Sequence, residues 1–259
     1  DISTSVVGQA DLVEEIARIH GYDQIPDTIM ADEMPPQYTN ATLELEDRVS
    51  DLLVALGLHE TISYRFTTPE AEARLTPPGA DSSLPAAGYV QMANPISADK
   101  TVLRHTLMAS LLDNAVRNAR YTDRQQLFEV GSIYLKNGGA LPDEPRRLGI
   151  LLTGARRVSD WTGDETGAAM DFYDIKGLLE TLLFRLHVDD ASVQPAQHSS
   201  FHPGRSAELL INGQSAGTFG ELHPVVASGY RGIDTPILIA ELDLDVIFAA
   251  TPAYYPVTS

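Results

Sequence analysis

Cysteine is absent from the 259 residues, which removes disulfides, thiolate nucleophiles and thiolate zinc sites together and suits a reducing compartment. Basic residues are scarce, 18 against 36 acids for a formal net charge of -18. A field of that sign repels a phosphate backbone, so the chain taken alone is expected to bind RNA poorly. No apolar run approaches the roughly 18 residues that a membrane span needs. No basic-then-apolar leader is visible either, so the expectation is a cytoplasmic protein without a membrane. Phosphate loops are also missing: Gly138-Gly139 lacks the lysine and serine of a P-loop, and no GxGxxG occurs.

What is present is 43% hydrophobic residues, enough to bury a large core as one domain or one domain with an appendage. The densest signal lies at 199–224. Asn212-Gly213 stands between two alternating runs, 207–211 and 215–220, and predicts a hairpin with a primed turn. His202-Pro203-Gly204-Arg205 leads into it, and Glu221-Leu222-His223-Pro224 leads out toward a helical segment.

Elsewhere, Leu12, Ile16 and Ile19 recur at helical spacing over 11–20, with Asp11, Glu14, Glu15 and Arg18 on the other side and Gly21 as the stop. Residues 26–38 hold three prolines and no periodicity and read as a linker. Thr42 is the expected cap of a second helix carrying Leu45, Val49, Leu52, Leu53 and Leu56, ended by Gly57. A strand at 62–66, a loop at 76–88 and a short strand at 89–92 follow. Then come a helix over 107–119, strands at 126–135 and 147–153, and a helix capped by Asp171 with Ile175, Leu178, Leu179, Leu182, Leu183 and Leu186 on one stripe. A strand at 236–242 and a short helix at 243–249 close the series. Trp161, the only tryptophan, has Asp160, Asp164 and Glu165 beside it without metal geometry. Helices among mostly antiparallel strands, with no βαβ repeat, predict an α+β fold on one antiparallel sheet.

Five segments, 11–26, 93–114, 127–134, 172–183 and the FHPGRSA to GELHP hairpin, occur in an order that resembles the beta-chain family of bacterial phenylalanyl-tRNA synthetases. The resemblance covers nearly the whole chain. It implies a class II aminoacyl-tRNA synthetase core-like sheet flanked by helices over 39–259, preceded by the end of another domain over 1–38. The chain opens at Asp1 without methionine and is expected to be a piece of a longer polypeptide. The family's work is ATP-dependent attachment of phenylalanine to its tRNA by two alpha and two beta chains. This piece is implied to be structural, with no catalytic residue, supporting the alpha subunit that binds ATP; tRNA(Phe) is held by the whole assembly, and editing and anticodon-arm parts lie elsewhere.

The resemblance also assigns Mg2+ to an acidic cluster at the contact with the alpha chain, matching Asp1, Asp11, Glu14 and Glu15. The residues themselves leave an alternative open, since acids in a first helical turn favour the helix dipole and Glu14 can pair with Arg18. Arg104, Arg124 and Glu129 match the second class II motif region, where such groups grip ATP and the amino acid, and Lys176 matches a lysine of the family. The glycine-rich junction and arginine of the third motif are missing after Leu222. The helix at 42–56 and its strand resemble the dimer-forming element of class II enzymes, with Val49 and Leu52 expected at the surface of the isolated chain. A different reading is a metal hydrolase using His198, His202 and His223 with Glu208 or Glu221, opposed by Pro203 and Gly204, which disfavour the shared helical face that zinc would need. An independent scaffold with no synthetase partner is the third.

Overall fold

The computed structural model describes residues 8–28, 39–86, 88–95, 97–157 and 167–252. Asp1, most of the 26–38 linker and the Trp161 segment lie outside them. The chain divides into two compact units, Asp1–Thr39 and Asn40–Ser259.

In the first unit, helix α1 (Gln9–His20) begins where the Gly8 N–H donates to the Asp11 carboxylate at 2.7 Å and ends at Gly21. Leu12, Ile16 and Ile19 are all exposed along one stripe.

The second unit runs α2 (Ala41–Ala55), β1 (His59–Glu60), β2 (Phe66–Thr67), α3 (Pro69–Ala73), β3 (Val102–Leu103), α4 (Met108–Asn118), β4 (Gln125–Ser132), β5 (Arg146–Thr153), α5 (Phe172–Arg185), β6 (Ala191–Pro195), β7 (Phe201–Ile211), β8 (Gln214–Leu222), α6 (Pro224–Ala227), β9 (Ile237–Asp243) and α7 (Leu244–Ala250). Seven strands form one sheet in the order β1-β4-β5-β9-β8-β7-β6, and β2 pairs with β3 apart from it. Every pair in the large sheet is antiparallel except β1 with β4. The α+β expectation holds.

Side chains alternate across the strands, so the sheet has two apolar faces. Phe128, Leu148, Ile150, Leu152, Leu238 and Ala240 point to one core, covered by α2, α5 and α7; Leu127, Leu151, Ile237 and Ile239 point to the other, covered by α4. Strand β5 is buried on both sides, which fits the unbroken LGILLT run. Gly149 lies where α4 approaches closest: a Cβ there would strike the Leu107 and Leu111 side chains.

The hairpin forms as the sequence indicates, with Asn212 at φ 51° and Gly213 at φ 75° giving the primed turn. Its register slips between Phe201 and Ser206, where Pro203 has no N–H to offer the ladder. Asp171 caps α5 as expected, its carboxylate accepting the Tyr173 N–H at 2.8 Å.

Three local expectations change. Asn40, not Thr42, caps α2, its side chain accepting the Thr42 and Leu43 N–H groups. Of the alternating run at 62–66 only Phe66 is in a strand, β2, paired with Leu103 of β3 outside the large sheet: Thr61 donates its N–H and hydroxyl to the Phe128 carbonyl, the chain then leaves the large sheet, and Ile62 is 91% exposed. Residues 89–92 contribute one bridge, Gln91 to Val102. Strand β6 gave no sequence signal because it is an edge strand exposed throughout.

Val49 is fully buried beside Leu53, and Leu52 packs partly against the same core, so neither is the surface residue expected. Leu43 and Val54 on α2, and Ile62 and Tyr64 just after β1, are exposed apolar side chains, Tyr64 with the Lys100 ammonium over its ring. A carboxylate at position 49 would have no polar partner, so Val49→Asp should lose upwards of ~3 kcal/mol in urea unfolding. Val54→Asp, on the open side of the same helix, should change it by less than ~0.5 kcal/mol.

Candidate functional site

Strand register builds a polar row on the face that α4 covers. Glu129 of β4 faces Gly149 of β5, Gly149 faces Glu241 of β9, and Glu241 faces Thr218 of β8. Two residues along, Gly131, Arg147 and Asp243 form a second row. The segment before α4 crosses these rows and answers them group by group. Arg104, buried, meets the Glu129 carboxylate at 2.5 Å and donates to the Ser132 carbonyl at 3.0 Å. The Thr106 hydroxyl donates to Glu241 at 2.9 Å, and the Leu107 N–H donates to it at 2.5 Å. Arg147 pairs with Asp243.

A further carboxylate comes from α3. Glu72 is buried and accepts the His105 N–H at 2.8 Å and the Tyr89 hydroxyl at 2.9 Å. Tyr89 stacks on the His105 ring at 4.0 Å between centroids. Helix α3, the loop before β3 and the α4 entrance are thereby tied to one point. Beside them a cavity of about 240 Å³ remains, lined by Leu84, Met108, His198, Thr218, Glu241 and Asp243 among others.

Burial pushes the Glu72 carboxyl up to about 7, overcoming the hydrogen bonds that oppose the shift. Burial also raises Glu241, against the bonds from Leu107 and Thr106. The same cause lowers His198 to about 4, so its ring is neutral at physiological pH. The cleft therefore holds four carboxyl groups, Glu72, Glu129, Glu241 and Asp243, against Arg104 and Arg147, both already paired. No free cation faces a polyphosphate here among the described residues.

Of the sequence candidates, Arg104 and Glu129 come together, but onto each other. Arg124 is at the opposite end of β4, donating to the Ala155 carbonyl at 3.1 Å, so the three do not form one ATP grip. Lys176 pairs with Glu180 along α5 at 2.7 Å. His198, His202 and His223 each use Nδ1 to accept a nearby backbone N–H, from Ser200, Gly204 and Val225. Glu208 accepts from Ser215 and Gln194, and Glu221 from Arg205. Among the described residues no three histidine, aspartate or glutamate side chains gather as a metal site. That leaves the hydrolase reading without a cluster, and Asp11, Glu14 and Glu15 without convergence: Asp11 holds the Gly8 N–H and Glu15 pairs with Arg18 at 2.7 Å. Asp1, the fourth acid of that set, lies outside the described residues.

Sequence reasoning missed Glu72 and Glu241. Glu241 had a signal, a charged residue inside the apolar run ILIAELD. Glu72 in PEAEA had none.

A carboxyl whose value rises on folding holds its proton more tightly in the folded state, so its contribution to stability falls as pH climbs from its ordinary 4.5 to about 7. At ~1.4 kcal/mol per unit the change is roughly 3 kcal/mol. Glu72→Gln should remove it: urea unfolding across this window should show the variant losing less stability than the parent as pH rises. Equal slopes would mean that Glu72 ionises normally.

The family model for the phenylalanyl tRNA synthetase beta chain CLM domain matches residues 25–244. The phenylalanine–tRNA ligase beta subunit of Syntrophus aciditrophicus is 38% identical over 242 residues, covering 92% of this chain and 29% of that protein. Its counterpart from Carboxydothermus hydrogenoformans is 36% identical over 251 residues, covering 95% and 30%. The chain thus spans about 30% of the length of these relatives. Among solved structures, a pyrrolysyl tRNA synthetase from Desulfitobacterium hafniense superposes with a TM-score of 0.58 at 16% identity, over 79% of this chain and 66% of that one. That likeness carries the class II synthetase fold.

Proposed function

The chain belongs to the phenylalanyl-tRNA synthetase beta-chain family, and on that premise we propose that it is a non-catalytic class II-like module that supports the alpha subunit of a phenylalanine-tRNA ligase. The observation that carries the reading is the cleft itself. It keeps the synthetase sheet, while every arginine in it is spent on a neighbouring carboxylate. Binding a triphosphate needs cations free to meet it, and a cleft with more acids than bases offers the reverse. ATP and phenylalanine would then be handled by the alpha subunit, in an assembly of two alpha and two beta chains that takes tRNA(Phe) as a whole, in the cytoplasm. Residues 1–38 would be the end of a preceding domain and 39–259 the module proper. No helix among the described residues is long and apolar enough to cross a membrane.

The open apolar side chains around α2 and β1 are the proposed contact with the alpha subunit. Titrating the isolated chain with ATP and magnesium in a calorimeter should give no measurable heat of specific binding. A micromolar Kd would overturn the non-catalytic reading.

Magnesium at Asp1, Asp11, Glu14 and Glu15 is a proposal for the assembled subunits, where Asp11 would leave its cap and Glu15 would leave Arg18. Changing Glu14 and Glu15 to Gln should loosen alpha-beta association more than it lowers the melting temperature. A lower melting temperature with assembly untouched would make them helix-stabilising residues instead.

A further inference from the structure

The net charge of -18 conceals a segregation. At the end of the sheet where β4 and β9 begin and β5 ends, the neighbouring elements carry four arginines without an ion pair among the described residues. Arg117 is in the last turn of α4 and Arg120 just beyond it, both exposed. Arg124 enters β4 and is fixed against Ala155, while the Gly154 N–H donates to the Thr235 hydroxyl at 2.9 Å. Arg231 precedes Gly232, whose missing Cβ would meet that of Ala119 at 4.0 Å, so the turn before β9 packs onto the same helix end. Arg156 and Arg157 follow Ala155, Arg156 already holding Asp171 and Asp174. Among the described residues at this end, Asp113 is held by Arg74 and Asp171 and Asp174 by Arg156, which leaves Asp123 and Asp234. In the middle of this group Tyr121 is 88% exposed, held out by the turn in which its N–H donates to the Asn118 carbonyl.

We propose that this arginine-rich end, with Tyr121 at its centre, is an RNA contact, the guanidinium groups meeting phosphates and the tyrosine ring stacking on an unpaired base. Unpaired arginines interleaved with an exposed aromatic ring are the chemistry of single-stranded nucleic-acid recognition. At physiological salt the field of a charge fades over ~8 Å, so a docked phosphate feels these arginines far more than the acids elsewhere on the molecule. The remote acids still weaken long-range attraction, so the surface acts as one contact among others and not as the source of affinity. The inference rests on the family reading for the RNA being a tRNA.

The test uses the full-length beta chain assembled with its alpha chain. Anisotropy with labelled tRNA(Phe) gives Kd across a salt series, and aminoacylation is followed alongside. Arg117→Ala, Arg120→Ala and Arg231→Ala together should raise Kd about tenfold and flatten the salt slope by about 2, one phosphate contact removed per arginine. The triple Lys variant should keep the slope, and Tyr121→Ala should raise Kd with the slope unchanged. KM for tRNA should rise with kcat at saturation unaltered. An unchanged Kd and slope in a triple Ala variant with the parent's melting curve would overturn the proposal. A parent assembly that charges no tRNA would overturn the family reading instead, and the anisotropy series would still decide whether this surface binds RNA.

Discussion

One sheet buried on both faces is the constraint from which the rest follows. Strands β4, β5 and β9 give apolar side chains to two separate cores, so α2, α5 and α7 must cover one side and α4 the other. Such burial contributes about 25 cal/mol per Å² of apolar surface, and it fixes register, because a slip of one residue would exchange the two faces. The same register that aligns Leu151 with Ile239 aligns Gly149 with Glu241. The carboxylates are carried into the interior by the strands that form the core.

Once there, they have to be satisfied. A buried carboxylate without partners costs several kcal/mol, and the segment 104–107 supplies them: a guanidinium to Glu129, a hydroxyl and an N–H to Glu241, and another N–H to Glu72. These bonds draw the α4 entrance onto the sheet, and Gly149 leaves the room for Leu107 and Leu111 to follow. The arginines of the cleft are held by its own carboxylates. That is how a synthetase sheet can persist while the cations a nucleotide would require are consumed internally, an instance of chemistry residing in a few side chains and not in the fold.

Charge is distributed on the same logic. Arg146 pairs with Glu46 and Arg205 with Glu221, whereas Arg117, Arg120, Arg124 and Arg231, on elements that meet at one end of the sheet, have no ion pair among the described residues. A chain with twice as many acids as bases can therefore present a local surface of the opposite sign, which net charge alone conceals.

The sequence by itself determined the elements whose signals are local. Asn212-Gly213 favours a primed turn where it stands between two strands, Asp171 bonds an N–H group in its own first turn, and the LGILLT run is apolar enough to lie centrally in a sheet. It also carried the family likeness, five short segments in order. Tertiary structure decided what depends on residues far apart in the chain. Whether Val49 faced solvent or core depended on α5, more than a hundred residues later, and whether 62–66 paired depended on where Thr61 met the Phe128 carbonyl. The candidate site was half legible: the family likeness pointed to Arg104 and Glu129, with Arg124, as groups that grip ATP and the amino acid, but the pairing of Arg104 with Glu129, and the parts played by Glu72 and Glu241, arise from strand register and the α3 contact. Nothing in PEAEA distinguishes an acid that will be buried from one that will be solvated, because that difference lies in the approach of Tyr89 and His105, which only the folded chain brings to it.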